Sequence, residues 1–341
     1  MSFQEAEWKK VDILKGLLIL FVVLGHTTFR NVAFHDIIFW FHMPLFFALS
    51  GAAFKGGVDD LKAFAYKKAK RFLPTYLAWF ILISILEGSI FKAKSWVRFI
   101  WGGRVCGGVY WYITVLLFTV ILFAQMEKKL KSRKALAACL FLCLCIGTVE
   151  SLLLPENLPD GGQELLHSVP WNADVTFVAI FFYGMGFLLR DLLTQEKLDI
   201  LFRERFLKYV MVGIAVVAFL VLMILRFRGL FNYELDMKIV SYSNLFLNLL
   251  LPGLAAIILL WLTDVLTRTS VLKGLLISFG KSSLVIMYVH QFLRVFMEAH
   301  TPAFIGRPIV VTIIAVAVGY GLYRLFSKNT VTKKLFITGI T

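Results

Sequence analysis

Apolar runs alternate with short polar intervals along the whole chain. The first run, about residues 11–29, contains KGLLILFVVLGH at 15–26, a stretch of Leu, Ile, Phe, Val and Gly bounded by Lys15 and His26. Nine more follow, at about 36–54, 72–91, 109–126, 135–154, 173–189, 207–225, 244–262, 275–297 and 304–326. Each holds roughly 17–23 residues, enough at about 1.5 Å per residue to cross about 30 Å of hydrocarbon. The period is helical and the runs are too long for barrel strands. The pattern therefore predicts an all-α, polytopic integral-membrane helical bundle of about ten transmembrane helices.

Composition supports that class. Of 341 residues, 59% are hydrophobic and 17% charged, against about 25% charged in a typical soluble domain. The net charge of +15 would suggest nucleic acid in a soluble protein. Here its distribution gives another meaning. The two termini and alternate loops hold 24 of the 36 Lys and Arg, the other loops hold 9, and Lys15, Lys281 and Arg294 fall inside runs. This is a positive-inside bias with both termini cytoplasmic, and it leaves nucleic-acid binding without support. No small-residue cleavage site follows the first run, so that run is expected to stay as an anchor. No linker, internal repeat or fused soluble domain is apparent, so residues 1–341 read as one transmembrane domain. The missing repeat weakens an inverted-repeat transporter reading. Of the four cysteines, Cys139, Cys143 and Cys145 lie in one apolar run and Cys106 in an outward loop. Neither a disulfide framework nor a metal spacing follows.

Several intervals have a shape of their own. The basic stretch 55–71, KGGVDDLKAFAYKKAKR, reads over 58–70 as an amphipathic helix at the membrane surface. Pro74 is then expected near the start of the third span. The outward interval 155–172, with three prolines and no Lys or Arg, reads either as a shaped polar surface or as a plain connector. Trp96, Trp101, Tyr110, Trp111, Tyr112 and Trp171 fit an aromatic belt. Glu87, Glu150, Asp174, Arg104, Asn244 and Asn248 read as isolated groups near outer helix ends.

Titratable groups at membrane depth are costly, so each is a functional candidate. On the first span, Lys15 and His26 are three turns apart and about 20° apart in azimuth, and Asp12 shares their face. His26 lies about 16 Å beyond Lys15 along the axis. One face thus offers a cation at the cytoplasmic mouth and an imidazole in the outer half. Lys15 also fits a snorkelling cation paired with Asp12, and His26 a packed histidine. On the second span His35 and His42 face the same way, and Pro44 predicts a kink beside His42 that could widen a cavity. The ninth span puts Ser283, His290 and Arg294 on one face, with Gln291 nearby and Lys281 nearly opposite. Arg294 and Glu298 also fit an ordinary i,i+4 pair. The cations Lys67, Lys68, Lys70 and Arg71 fit lipid headgroups, or the phosphates of a cofactor at the cytoplasmic mouth.

Together these motifs resemble the membrane acyltransferase family 3. DILKGLLILFVVLGH is similar to its opening span. FHMPLFFALSG resembles the branch of fucose 4-O-acetylase-like and exopolysaccharide O-acyltransferases. KKAKRFLPTY, GGVYWYITVLLF and GKSSLVIMYVHQFL are similar to its basic-loop, Trp-containing and late histidine motifs. The resemblance runs from about residue 11 to 294. It implies a multi-pass enzyme, expected in the bacterial cytoplasmic membrane, that moves an acyl group, usually acetyl, from cytoplasmic acyl-CoA (acetyl-CoA) to a hydroxyl. The acceptor would be a cell-envelope carbohydrate or its lipid-linked glycan precursor. His26 then stands at the family's essential first-span histidine and His290 at the late histidine. Lys15 stands where many members have Arg, and Lys68 and Arg71 fall on the paired basic positions. Lys at 15 and 68 keeps the charge but not the bidentate geometry of Arg.

His26 is thus the candidate base, with Asp12 orienting or balancing Lys15. Lys15, Lys68, Lys70 and Arg71 are the candidate phosphate ligands. His42, His290 and Arg294 are candidates around the reacting oxygen or sugar. No metal is called for. Transfer would finish within the bundle or pass to a separate glycan-assembly partner. The competing class is a transporter or flippase of a glycan precursor or small anion.

Overall fold

The computed structural model describes residues 3–28, 31–153, 168–193, 205–300 and 307–337. Among them every regular element is helical: α1 (Phe3–Thr27), α2 (Val32–Phe39), α3 (His42–Ala52), α4 (Leu61–Leu86), α5 (Ala93–Trp101), α6 (Gly103–Cys106) and α7 (Tyr110–Lys129). There follow α8 (Arg133–Leu153), α9 (Thr176–Leu189), α10 (Arg205–Phe227), α11 (Leu245–Leu266), α12 (Ser270–His300), α13 (Pro308–Phe326) and α14 (Thr330–Phe336). A short 3₁₀ turn, Pro170–Asn172, leads into α9.

Nine helical segments among the described residues are long and apolar enough to cross a bilayer, α2 and α3 together forming one of them. The tenth long helix is α1, whose first half carries Lys10, Asp12 and Lys15. It runs through the middle of the bundle, with Leu18, Ile19, Val22 and Val23 fully buried. Helix α7 is similarly enclosed. Helix α10 is the opposite case: Ile214, Val217, Leu220, Val221 and Ile224 are all exposed. An apolar helix bare on its outer side is stable only against lipid.

Glycine decides the closest approaches. A methyl group at Gly16 would collide with the Leu276 carbonyl, and one at Gly280 with the Asp12 carbonyl. Helices α1 and α12 therefore cross backbone to backbone, and they form the most extensive helix pair. Small residues permit such contact where apolar attraction between helices is absent in lipid. Gly51 and Gly186 do the same for α3 and α9.

Three sequence expectations change. The basic stretch and the third span are one helix: α4 starts at Leu61, capped by Asp60 accepting from the Ala63 N–H at 3.0 Å, and runs unbroken to Leu86. Pro74 consequently lies in its interior, where it removes the bond to the carbonyl of residue 70. The kink expected beside His42 is present as a full break at Trp40 and Phe41, with Pro44 in the first turn of α3. Tyr110, Trp111 and Tyr112 are buried and do not form a belt. Most of the interval 155–172 lies outside the described residues.

The end of the bundle that carries His26, which the charge bias assigns to the outside, is closed by a polar latch. Arg104 and Asp174, expected to be isolated, form an ion pair at 2.7 Å with side chains only 2% and 3% exposed. Next to them Asn172 accepts from the Arg104 N–H at 2.7 Å and donates to the Lys238 carbonyl at 3.0 Å. The latch thus joins α6, the start of α9 and the loop 228–244. Asn248 completes it, accepting from the Tyr233 hydroxyl at 2.6 Å and donating to the Tyr242 carbonyl at 2.8 Å.

Two outcomes follow. Gly280→Leu should drive α1 and α12 apart and lower the thermal midpoint in detergent sharply, a cost of about 3 kcal/mol or more; an unchanged midpoint would refute the crossing. Asp174→Ala leaves a buried guanidinium alone and should cost about 3–5 kcal/mol, whereas Asp174→Ala with Arg104→Met should recover most of it. Thermal unfolding of the two variants side by side distinguishes these outcomes.

Candidate functional site

Four helices deliver imidazoles and their neighbours to one place. His26 ends α1, His35 lies on α2, His42 begins α3 and His290 lies two thirds along α12. The His26 ring is 5.1 Å from His290 and 6.4 Å from His42, centre to centre, and 5.4 Å from Phe39. Phe39 packs at 4.5 Å on His42 and stacks at 3.8 Å on His35. The sequence places these residues up to 264 positions apart; the Gly16–Gly280 crossing and the broken second span bring them together.

The break has a direct role. With the chain turning at Phe41, the Ile38 carbonyl takes only a long bond from the Phe41 N–H at 3.3 Å, and His42 Nδ1–H donates to it at 2.9 Å. In the same way His290 Nδ1–H donates to the Ile286 carbonyl at 3.2 Å. A carbonyl only accepts, so both bonds put the proton on Nδ1 and leave Nε2 with the lone pair in the neutral ring. His290 Nε2 is buried with no hydrogen-bond partner among the described residues. The Gln291 amide lies 3.4 Å from His26 Nδ1, so the third imidazole is held by a side chain.

These groups surround a cavity of about 210 Å³. His26, His35 and His42 line it directly, with Trp111 and Tyr112 from α7; His290 sits against His26 outside that lining. The opposite wall is Asp236 and Lys238 from the loop 228–244. That loop is rigidly pinned: Asp236 and Ser241 exchange backbone bonds, Lys238 N–H donates to Asp236 Oδ1 at 2.8 Å, and Ser151 donates to the Val240 carbonyl at 2.6 Å. Burial raises the Asp236 carboxyl from its ordinary range, against the pull of Lys238. Burial lowers the Lys238 ammonium, against the pull of Asp236. Each is the other's main electrostatic support.

Sequence reasoning passed over Asp236 and Lys238 because they lie between spans. A signal was present. YELDMKIV at 233–240 alternates apolar and polar, and the alternation is used: Tyr233, Leu235 and Met237 are buried, while Asp236 and Lys238 face the cavity. His35, which looked the weaker histidine of its pair, also faces it. Asp36 beside it is held by Arg226 at 2.7 Å.

The remaining candidates lie elsewhere. Asp12 and Lys15 are three turns from His26, at the other end of α1. Lys281, nine residues before His290 and so on the opposite face of α12, lies near Asp12 instead. Lys68 and Arg71 are half-buried one turn apart on α4, with Lys68 Nζ 5.5 Å from the Phe64 ring. Lys70 is exposed on another face, 5.9 Å from the Tyr66 ring. Arg294 binds Glu298 at 3.0 Å, the i,i+4 pair, and is not among the residues lining the cavity. Among the described residues no group of His, Cys, Asp and Glu could hold a metal.

The arrangement can accept a proton on a positioned imidazole, in a small cavity with an acid–amine pair opposite. Comparison with known proteins agrees with such chemistry. The family model described as an acyltransferase domain matches residues 8–324. A curated relative, the nodulation protein NolL of Sinorhizobium fredii (strain NBRC 101917 / NGR234), is 30% identical over 126 residues, which cover 33% of this chain and 34% of NolL. No solved structure matches. A family match over nearly the full length, on a bundle of membrane-crossing helices, places this multi-pass chain in the acyltransferase family.

Proposed function

We propose that the chain is an O-acyltransferase that takes an acyl group, by preference acetyl, from cytoplasmic acyl-CoA to a hydroxyl of a cell-envelope sugar, glycan or lipid-linked precursor. The observation that carries this reading is the setting of His26. It lines a cavity, its Nδ1 is in contact with Gln291, and it ends a helix whose other end carries Lys15. Gln291 Nε2 faces His26 Nδ1 at 3.4 Å; rotated by half a turn, the amide presents its oxygen instead, Nδ1–H donates to it and the ring Nε2 keeps the lone pair a base requires.

The chemistry is then simple to balance. The acceptor hydroxyl gives its proton to His26 Nε2 as its oxygen attacks the thioester carbonyl. The carbon–sulfur bond breaks, and the departing CoA sulfur recovers the proton from His26. Asp236 and Lys238 hold the acceptor's other hydroxyls on the facing wall. His42, with its Nδ1 proton committed to a backbone carbonyl, presents Nε2 as an acceptor toward water or sugar hydroxyls, and His290 backs the His26 ring at 5.1 Å. At the other end of α1, Lys15 with Lys68 and Arg71 holds CoA phosphates by charge-assisted bonds. The separation from Lys15 to His26, about 16 Å along the helix, is comparable to the reach of an extended pantetheine arm. Donor and acceptor thereby approach His26 from opposite sides of the membrane. A transporter has no need of a base so placed.

His26→Ala should lower acyl transfer from radiolabelled acetyl-CoA in membranes by roughly 10²–10⁴-fold, the usual worth of a general base, at unchanged abundance and thermal midpoint. Transfer at the normal rate would refute the mechanism. Lys68→Ala with Arg71→Ala should raise KM for acetyl-CoA far more than it lowers kcat, because phosphate contacts are equally present in ground and transition states. Steady-state kinetics showing the reverse split would remove these residues from the donor site.

A further inference from the structure

A second cavity, of about 400 Å³, adjoins the first at the His26 end of the bundle. The two share Gly108, Val109 and Gln291 as a common wall. Gln291 is the residue in contact with His26, so a molecule in the second cavity lies one side chain from the candidate base. The cavity is bounded by the end of α4, by α5, by the start of α7 and by α12.

Its lining is unusual in two independent ways. Lys92, Lys94 and Arg98 line its rim, opposed by the single carboxyl of Glu87. Positive-inside bias explains cations at the cytoplasmic end, but these lie at the other end. That set of loops carries 9 Lys and Arg, and 4 of them fall in the one interval 92–104. The fourth, Arg104, is taken up by Asp174; the other three line the cavity. The floor carries the second feature. Tyr110 and Tyr288 both line the cavity, are 5% and 2% exposed, and each has a hydroxyl with no hydrogen-bond partner among the described residues. A buried hydroxyl without a partner costs about 1–3 kcal/mol. Two of them, 5.5 Å apart by ring centres, suit a ligand rich in oxygen.

We infer that this cavity is the acceptor vestibule and that it takes a sugar carrying an anionic group, phosphate or carboxylate. The anion is held by Lys92, Lys94 and Arg98, and sugar hydroxyls meet Tyr110, Tyr288 and Gln291 beneath. The hydroxyl to be acylated then passes the Gly108–Val109 wall into the His26 cavity. This rests on the reading of His26 as the acyl-transfer base, and it adds the chemical class of the acceptor. The anion comes from one of two sources: the diphosphate of a lipid-linked sugar, or an acidic sugar residue.

The test is binding to the full-length protein in phosphatidylcholine nanodiscs, by calorimetry at low and high salt. The probes are dodecyl diphosphate and methyl glucuronide, with dodecyl maltoside and methyl glucoside as uncharged controls. At least one anion should bind more tightly than its control, and salt should weaken it. Binding of the diphosphate alone assigns the lipid-linked source, and of the glucuronide alone the acidic sugar. The triple variant Lys92→Gln, Lys94→Gln, Arg98→Gln, at an unchanged thermal midpoint, should lose roughly tenfold or more in affinity. Tyr288→Phe should lose a smaller factor, and restoring Arg98 alone should recover part of the triple loss. If neither anion outbinds its control, if the triple variant binds as well as the parent, or if phosphatidylglycerol in the nanodisc competes as strongly as the probes, the inference is overturned. His26→Ala should bind the anion unchanged. Anion binding that survives while His26→Ala retains transfer would sink the catalytic reading and leave the vestibule standing.

Discussion

The contact between Gly16 on α1 and Gly280 on α12 sets the geometry of everything else. In water two helices are driven together by their apolar faces; in lipid that force is absent and close packing must replace it. Without side chains at these two positions the backbones meet, with Gly16 over the Leu276 carbonyl and Gly280 over the Asp12 carbonyl. A crossing fixed that tightly also fixes what lies three turns further along each helix. His26 and His290 are ten residues beyond their respective glycines, and their rings meet at 5.1 Å. The glycines contribute nothing chemical, yet a methyl group on either would displace the imidazoles from each other.

The second span contributes by failing to be a straight helix. It is interrupted at Trp40 and Phe41, and His35 from α2 and His42 from α3 both line the cavity. An interruption at membrane depth exposes backbone groups, and unsatisfied groups there are expensive. The structure meets that cost with local donors: His42 Nδ1 takes the Ile38 carbonyl, and the Trp40 indole donates to the Tyr233 carbonyl at 2.9 Å. The second bond also ties the break to the loop that carries Asp236 and Lys238. One irregularity therefore orients an imidazole and anchors the facing wall.

Much of this was legible in the chain. The ten apolar runs correspond, among the described residues, to nine membrane-length apolar segments and to α1, and angular spacing puts His26 and Lys15 at opposite ends of one face. His290 was recognisable by its depth in an apolar run. What escaped was set by long-range contact or by backbone shape. Arg104 and Asp174 each look like a solitary charge near a helix end; their pairing depends on Asn172 adopting a left-handed φ of 53°, which no local pattern announces. Tyr110 to Tyr112 carry the composition of an interfacial belt, but the first turns of α7 are enclosed by the bundle, and all three are buried. The loop 228–244 is hidden in the sequence because it lies between two apolar runs. Its period-two alternation marks a segment with one face buried, and in a connection between membrane helices that buried face must lie against the bundle.

The disposition of charge at the two ends of the bundle follows one logic. A bundle that joins a donor from one side to an acceptor from the other must keep the pathways apart until they meet at the reacting atoms. Here Lys15, Lys68 and Arg71 occupy one end, and Lys92, Lys94 and Arg98 the other. Cations at both ends attract anions from both sides, yet no continuous polar track of described residues joins them along α1: Leu17, Leu18, Ile19, Val22 and Val23 fill that interval and are buried. If the proposed donor is held by its phosphates at the Lys15 end, this packed apolar stretch of α1 would keep those charges away from the imidazoles, because a charge at membrane depth is costly.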